Sequence, residues 1–248
     1  MPLYRILKNF IPRKYRRPRY KHFCDETPQL ITELETPQNF SPHSYFHGYF
    51  HNLAYFEHIL PTLRRDFTLR TPLTEANLAL KQRILDTPHA TFVHIRRGDF
   101  LASAQDDFVR LDKSYYERAF TLLKERVPEA HLYIFSNDIP WCKEHFCAHL
   151  PDSKRALDSE NTQMISTLGL SFSFIEGNDE GAAAQELELM RACQHGIIAN
   201  STFSWWAAYL MENPHKVIIS PKDFLHNTSS IHQSALITPK EWLTIPVA

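Results

Sequence analysis

The sequence predicts an α/β fold built on a parallel sheet, and three observations carry that expectation. From residue 90 onward, short β-prone apolar runs alternate with segments of helical period, as in parallel strands joined by right-handed crossovers. Three of the runs end in polar clusters: Arg96-Arg97-Gly98-Asp99, Ser136-Asn137-Asp138 and Asn200-Ser201-Thr202. Parallel strands all point one way, so these clusters share the carboxyl edge, where open α/β sheets bind ligands. Finally, no run approaches the ~20 apolar residues that cross a bilayer. The 248 residues are 43% hydrophobic and 22% charged, an ordinary globular balance and enough for one large domain or two small ones.

In order along the chain, residues 1 to about 40 read as irregular, broken by Pro2, Pro12, Pro18, Pro28 and Pro37. Residues 44–70 are aromatic-rich and are expected to form a turn and a helix. Thr74-Glu75, after Pro72, starts a helix whose pattern runs over 77–85, and Pro88 closes it. Residues 92–95 form a strand. Residues 114–127 form a helix, with Tyr115, Ala119, Leu122, Leu123 and Arg126 near helical spacing. A strand over 132–135 follows, then a helix opened by Pro140, since proline fits a first helical turn. Residues 172–175 form a strand, 182–193 a helix, 196–199 a strand, 203–211 a helix and 217–219 a last strand.

The chemistry gathers at the strand ends. Arginine suits phosphate because its planar fork donates paired hydrogen bonds and keeps its charge. Ser201 and Thr202 enter a helix, whose N-terminal amides favour an anion. Arg96 and that helix start can therefore clamp a diphosphate, the alternative for Ser201-Thr202 being a plain N-cap. Phe203, at the mouth, walls a base or sugar or joins the core with Trp205, Trp206 and Tyr209. Asp99, Asp106 and Asp107 are the acids nearest the arginines. Asp99 is either a general base on a sugar hydroxyl or a structural partner of a neighbouring arginine.

Other classes fall away. With six glycines there is neither a G-x-G-x-x-G nor a P-loop motif, which disfavours dinucleotide dehydrogenases and P-loop ATPases. Cys24, Cys142, Cys147 and Cys193 form no C-x-x-C pair and read as inert thiols. His43, His47 and His51 would share a face only on a helix, which their β-prone neighbours oppose, so no metal is expected. Arg97-Gly98-Asp99 follows a buried strand and is no adhesion signal. Asn200-Ser201-Thr202 and Asn227-Thr228-Ser229 match the glycosylation acceptor but are uninformative in a chain without a signal peptide, for which the cytoplasm is expected. Residues 1–23 hold eight Lys or Arg and no acid, which leaves −9 on the rest of a chain of net charge −1. This basic arm reads as a solvated loop or a contact for an anionic membrane surface; nothing beyond it supports nucleic acid as a partner.

The blocks His94-Ile95-Arg96-Arg97-Gly98-Asp99, Phe135-Ser136-Asn137-Asp138-Ile139-Pro140-Trp141-Cys142 and His195 through Leu210 resemble, in order, three motifs of the bacterial α-1,2-fucosyltransferases of glycosyltransferase family 11. Phe46-His47-Gly48-Tyr49-Phe50 resembles a fourth, upstream element. The resemblance implies a GT-B-like α/β enzyme, with residues 1–88 a partial N-terminal, acceptor-side lobe carrying the basic arm and 89–248 a Rossmann-like donor lobe. It implies transfer of L-fucose from GDP-fucose to the 2-hydroxyl of a terminal galactoside, with inversion and without a required metal or cofactor. Glycans such as lipopolysaccharide side chains are the implied acceptors, with peripheral membrane contact. By the same resemblance Arg96 takes the β-phosphate, and His94 the nucleoside. Ser201, Thr202 and Phe203 line the phosphates, and Glu186 or Asp138 contacts guanine. Arg97 and Asn200 belong to the same donor-binding set, and Arg96 and Asp99 are the catalytic candidates. The family's glycine-rich N-terminal block has no counterpart here. The alternative is therefore a truncated, non-catalytic GDP-sugar-binding remnant.

Overall fold

The computed structural model describes residues 22–27, 30–34, 40–41, 43–97, 109–147, 162–165, 168–178, 180–225 and 234–247. The basic arm through Lys21, the acids Asp99, Asp106 and Asp107, and the Asn227 acceptor lie outside the described residues.

The chain begins with strand β1 (His22–Asp25), short helix α1 (Leu30–Leu34) and strand β2 (Ser44–His47). Two 3₁₀ turns, Leu53–Tyr55 and Glu57–Ile59, lead into helix α2 (Leu60–Asp66) and then helix α3 (Glu75–Asp86). The alternating part runs β3 (Ala90–Ile95), α4 (Lys113–Arg126), β4 (His131–Ser136), α5 (Ile139–Cys147), β5 (Thr162–Ile165), β6 (Leu170–Phe174) and α6 (Ala183–Ala192). It closes with β7 (His195–Ile197), α7 (Thr202–Leu210), β8 (Ile218–Pro221), α8 (Ser234–Ile237) and β9 (Leu243–Ile245).

Seven strands form the main sheet in the order β5-β6-β4-β3-β7-β8-β9. All its pairings are parallel except β5 with β6. Without β5 this is the 3-2-1-4-5-6 order of doubly wound sheets, which reverses direction beside the first strand, here between β3 and β7. Every residue of β3 is buried, because helices cover both faces of a central parallel strand. Val93 and Ile95 face a core with Tyr115, Phe120 and Leu123 of α4. Ala90 and Phe92 face the other core, with Leu189 and Met190 of α6 and Trp205, Ala207 and Ala208 of α7.

Local chemistry sets the helix starts. Thr74 accepts from the Asn77 amide at 3.3 Å and Asp112 from the Tyr115 amide at 3.2 Å, each an N-cap. The α/β expectation holds as a parallel six-strand sheet with helices between. The expectation of an irregular stretch before residue 40 does not hold for the residues described there. β1 pairs in parallel with β2, Phe23 opposite Tyr45, through a partner 22 residues on that no local pattern reveals. β5 and β9 were also unanticipated; both are short edge strands. His43, His47 and His51 share no helix, since Ser44–His47 is a strand and His47 Nδ1 lies 3.2 Å from Asp25 Oδ1. Among the described residues no helix is long and apolar enough to cross a membrane.

Candidate functional site

The switch point lies at the carboxyl ends of β3 and β7, the place where doubly wound sheets bind ligands. Val93 pairs with Ile197, so Arg96 and Asn200, three residues further on, form its two lips. α7 begins just behind the second lip, at Thr202.

The strand pleat separates the two arginines. Ala90 and Phe92 face α6 and α7, and the alternation carries His94 to the same side, where the charge of Arg96, just past the strand, reaches it. The His94 ring meets Phe203 edge-on at 5.6 Å. Arg97 turns to the opposite face. Its Cζ lies 3.8 Å over the Trp141 ring, its Nε is 3.3 Å from Asp138 Oδ2, and its backbone N–H donates to Asn137 Oδ1 at 2.9 Å. Asp138 Oδ1 also accepts from the Trp141 amide at 3.2 Å. Thus Arg97, Asn137, Asp138 and Trp141 knit the ends of β3 and β4 together and hold the backbone that presents Arg96. Arg96 itself is half-buried.

On the other lip, Asn200 is buried, and its amide donates to the carbonyls of Val109 and Phe224. It pins two segments beside the end of β7. Ser201 occupies the N-cap position of α7, yet its side chain makes no capping hydrogen bond. Thr202 is exposed, and Phe203 half-buried. The α7 start therefore presents amides without a side-chain cap, the arrangement that accepts an anion.

His94 lies beneath. It is 5% exposed, and its Nδ1 is buried with no hydrogen-bond partner among the described residues. Burial, reinforced by the Arg96 charge, lowers its pKa from 6.5 to about 3, so the ring is neutral. Burial also lowers His131 and His195 to about 4. Each ring stays neutral in the folded chain but takes a proton in the unfolded chain near pH 6.5. The unfolded state thus binds more protons between about pH 6.5 and the folded values, and stability falls with falling pH across that window. We expect guanidinium unfolding midpoints to drop from about pH 7 to about pH 5, with a shallower drop in His94→Gln. Equal slopes in the variant and the unaltered protein would refute the assignment to His94.

The other two predicted donor contacts divide. Asp138 sits at the site's edge, committed to Arg97 and α5. Glu186, in the first turn of α6, lies near Asn178, past the end of β6 and two strands from β3. Burial raises its carboxyl above the ordinary range, and Asn178 partly opposes the rise. Asp99 lies outside the described residues. Among the described residues no group of three or more His, Cys, Asp or Glu side chains could hold a metal ion. Burial pushes the Cys142 thiol up to about 11 and Cys193 up as well, which keeps both protonated.

Two residues read only as helix pattern or not at all prove to fasten the strand ends at the switch point. Tyr115 donates its hydroxyl to the Ile198 carbonyl at 2.8 Å, and Tyr116 lies 3.4 Å from the His94 carbonyl. From α4 they fasten the ends of β7 and β3. The adjacent tyrosines were the available signal, because a buried phenol needs a partner for its hydroxyl. Tyr115→Phe leaves the Ile198 carbonyl unpaired and is expected to cost about 1–3 kcal/mol in chemical unfolding. A change below about 0.5 kcal/mol, the range of ordinary surface substitutions, would show that the bond contributes nothing net.

The model of the family described as Glycosyl transferase family 11 matches residues 2–245. An Alpha-1,2-colitosyltransferase of Escherichia coli is 29% identical over 204 residues, which cover 81% of this chain and 62% of that protein. An O-antigen biosynthesis glycosyltransferase, WbnK, of Escherichia coli is 25% identical over 167 residues, 66% of this chain and 47% of the relative. A Galactoside alpha-(1,2)-fucosyltransferase 2 of Rattus norvegicus is 28% identical over 171 residues, 66% of this chain and 43% of the relative. The matched regions thus span from 43% to 62% of these relatives' lengths.

Proposed function

Since the chain belongs to glycosyl transferase family 11, we propose that it moves L-fucose from GDP-fucose to the 2-hydroxyl of a terminal galactoside, forming an α-1,2 linkage with inversion. The observation that carries the reading is the switch point between β3 and β7, where Arg96 follows one strand and the uncapped start of α7 follows the other. A diphosphate spanning it meets a guanidinium and helix amides together.

The chemistry follows from where charge develops. The acceptor oxygen bonds to the anomeric carbon as the bond to the diphosphate oxygen breaks, and the electron pair leaves on GDP. Arg96 and the α7 amides meet that charge and interact with it more strongly in the transition state than before. The acceptor's hydroxyl proton passes to a base, for which Asp99 is our candidate. Neutral His94 and Phe203 wall the nucleoside side without adding charge, while Ser201 and Thr202 hold phosphate oxygens. Glu186 is our candidate for guanine. Arg97, Asp138 and Asn200 serve the donor by fixing the lips. An acceptor borne on a lipid would place the protein at a membrane surface, where the basic arm supplies attraction.

Calorimetry with GDP and GDP-fucose, followed by linkage analysis of the product on a galactoside, tests the reading. Binding and an α-1,2 product support it. Binding without turnover leaves a GDP-sugar-binding protein in its place, and no binding to either nucleotide overturns it. GDP-colitose, run beside GDP-fucose, separates the donor of the fucosyltransferase relatives from that of the colitosyltransferase.

A further inference from the structure

Helix α7 is open at one end and doubly held at the other. Ser201 leaves its amino end without a side-chain cap, whereas two cations take up the four carbonyls at its carboxyl end. Lys216 Nζ donates to the carbonyls of Ala208, Tyr209 and Met211 at 2.7, 3.3 and 3.0 Å. Arg64 Nε donates to the Leu210 carbonyl at 3.3 Å, and its Nη2 to the Met211 carbonyl at 2.7 Å. Burial and the neighbouring Arg64 charge lower the Lys216 amine from 10.5 to about 8, which Glu241 partly opposes. Two like charges meeting at one carbonyl repel, and the negative pole of the helix offsets that repulsion.

Lys216 is a local cap, whereas Arg64 reaches across 146 residues. It arrives with a segment that lies along the helix. Phe56 packs on Trp205, Trp206 and Tyr209 at 5.8, 5.3 and 5.7 Å, and Phe67 stacks on Trp206 at 5.2 Å. From the neighbouring helix α6, Arg191 Nη1 donates to the Phe67 carbonyl at 2.6 Å and ties down the end of the segment. A stretch assigned to the acceptor side by the sequence is thus fastened to the helix that the transfer reading gives to the donor. That helix is a rod of about 13 Å, so holding one end fixes the other. A side-chain cap at Ser201 would stabilise the same helix but would occupy amides that an anion needs. Capping from the far end stabilises α7 and leaves those amides free.

We propose that Arg64, with Lys216, is a positioning residue for the donor: by holding the carboxyl end of α7 it keeps the uncapped amino end in place for the diphosphate. The proposal rests on the transfer reading above. Arg64 acts through the helix and touches no substrate.

Calorimetry with GDP, at a temperature where circular dichroism shows each full-length chain folded, tests this. Arg64→Met is expected to weaken GDP binding about tenfold, the scale of one lost charge-assisted hydrogen bond. Arg64→Lys should recover part of the affinity, because an ammonium restores the charge but not the fork. Lys216→Met should weaken GDP binding as well. Arg65→Met removes the same charge from the exposed neighbour, which pairs with Asp66 at 2.9 Å, and should leave GDP affinity unchanged. A cap that served only the fold would lower the unfolding midpoint of Arg64→Met and leave the affinity of the folded chain as it was. That result, or an equal loss in Arg65→Met, overturns the inference. If Arg64→Met does not fold, native GDP affinity in both Arg64→Lys and Lys216→Met overturns it, and a loss in both supports it. No GDP binding by the unaltered protein overturns the donor reading and this inference together, whereas binding indifferent to position 64 overturns the inference alone.

Discussion

Arg96→Ala is expected to lower turnover about 10²- to 10³-fold, the ~2.7–4 kcal/mol that one preorganised donor to a developing oxyanion contributes. The reason lies in position as well as charge. Arg96 follows β3 directly and its charge reaches His94, while the Arg97–Asp138–Trp141 contacts hold the backbone at its base. The backbone at position 96 is therefore fixed before the leaving group charges. Arg96→Lys should restore only part of the rate, since an ammonium keeps the charge without the two-pronged geometry. Turnover with GDP-fucose and calorimetry with GDP together check this. The turnover loss should exceed the loss of GDP affinity, because the interaction strengthens as the bond breaks. Near-native turnover in the alanine variant would remove Arg96 from the mechanism and the diphosphate from the switch point.

Gly196→Ala carries the largest expected effect on stability. Gly196 pairs with Phe92 across the switch point, and an added Cβ would stand 2.3 Å from Phe92 Cε1 and 2.6 Å from Cζ. Phe92 is fully buried, so its ring has no open space to move into. Overpacking of this kind costs about 1–3 kcal/mol, and here the upper end is expected because the obstacle is an aromatic edge in the centre of the sheet. Phe92→Leu shortens the obstacle. The double variant should therefore be less destabilised than the sum of the singles, with a coupling of about 0.5–3 kcal/mol. Urea unfolding of the four proteins measures it, and strict additivity would show that the clash is relieved elsewhere. Because β3 and β7 carry the two lips, forcing them apart should also weaken GDP binding in Gly196→Ala.

Much of this architecture was legible in the chain. Residues 92–95, 132–135 and 172–175 are mostly apolar because parallel strands covered on both faces bury nearly every side chain, and β3, β4 and β6 cover or overlap them. The polar clusters after β3, β4 and β7 mark the edge where backbone and side chains can meet a ligand. Thr74 announced α3 because capping is a contact within a few residues. Local periodicity and local capping are written in neighbouring residues, so the alternation of strands and helices after residue 90 and the parallel sheet were legible in the sequence.

Distance in the chain hid the rest. β1 depends on β2, and β5 and β9 on the sheet edges they join. The division of Arg96 from Arg97 needed the faces of β3 to be known, since consecutive residues of a strand point opposite ways. Asn200, a donor-binding candidate in the sequence, turns its amide to Val109 and Phe224, 91 and 24 residues away, a role that no local pattern reveals. Glu26 and Tyr49, 23 residues apart, meet only because β1 and β2 pair side by side. Sequence determined which residues carry charge and which strands they follow. Folding decided which charges face one another, because that depends on contacts that no local pattern encodes.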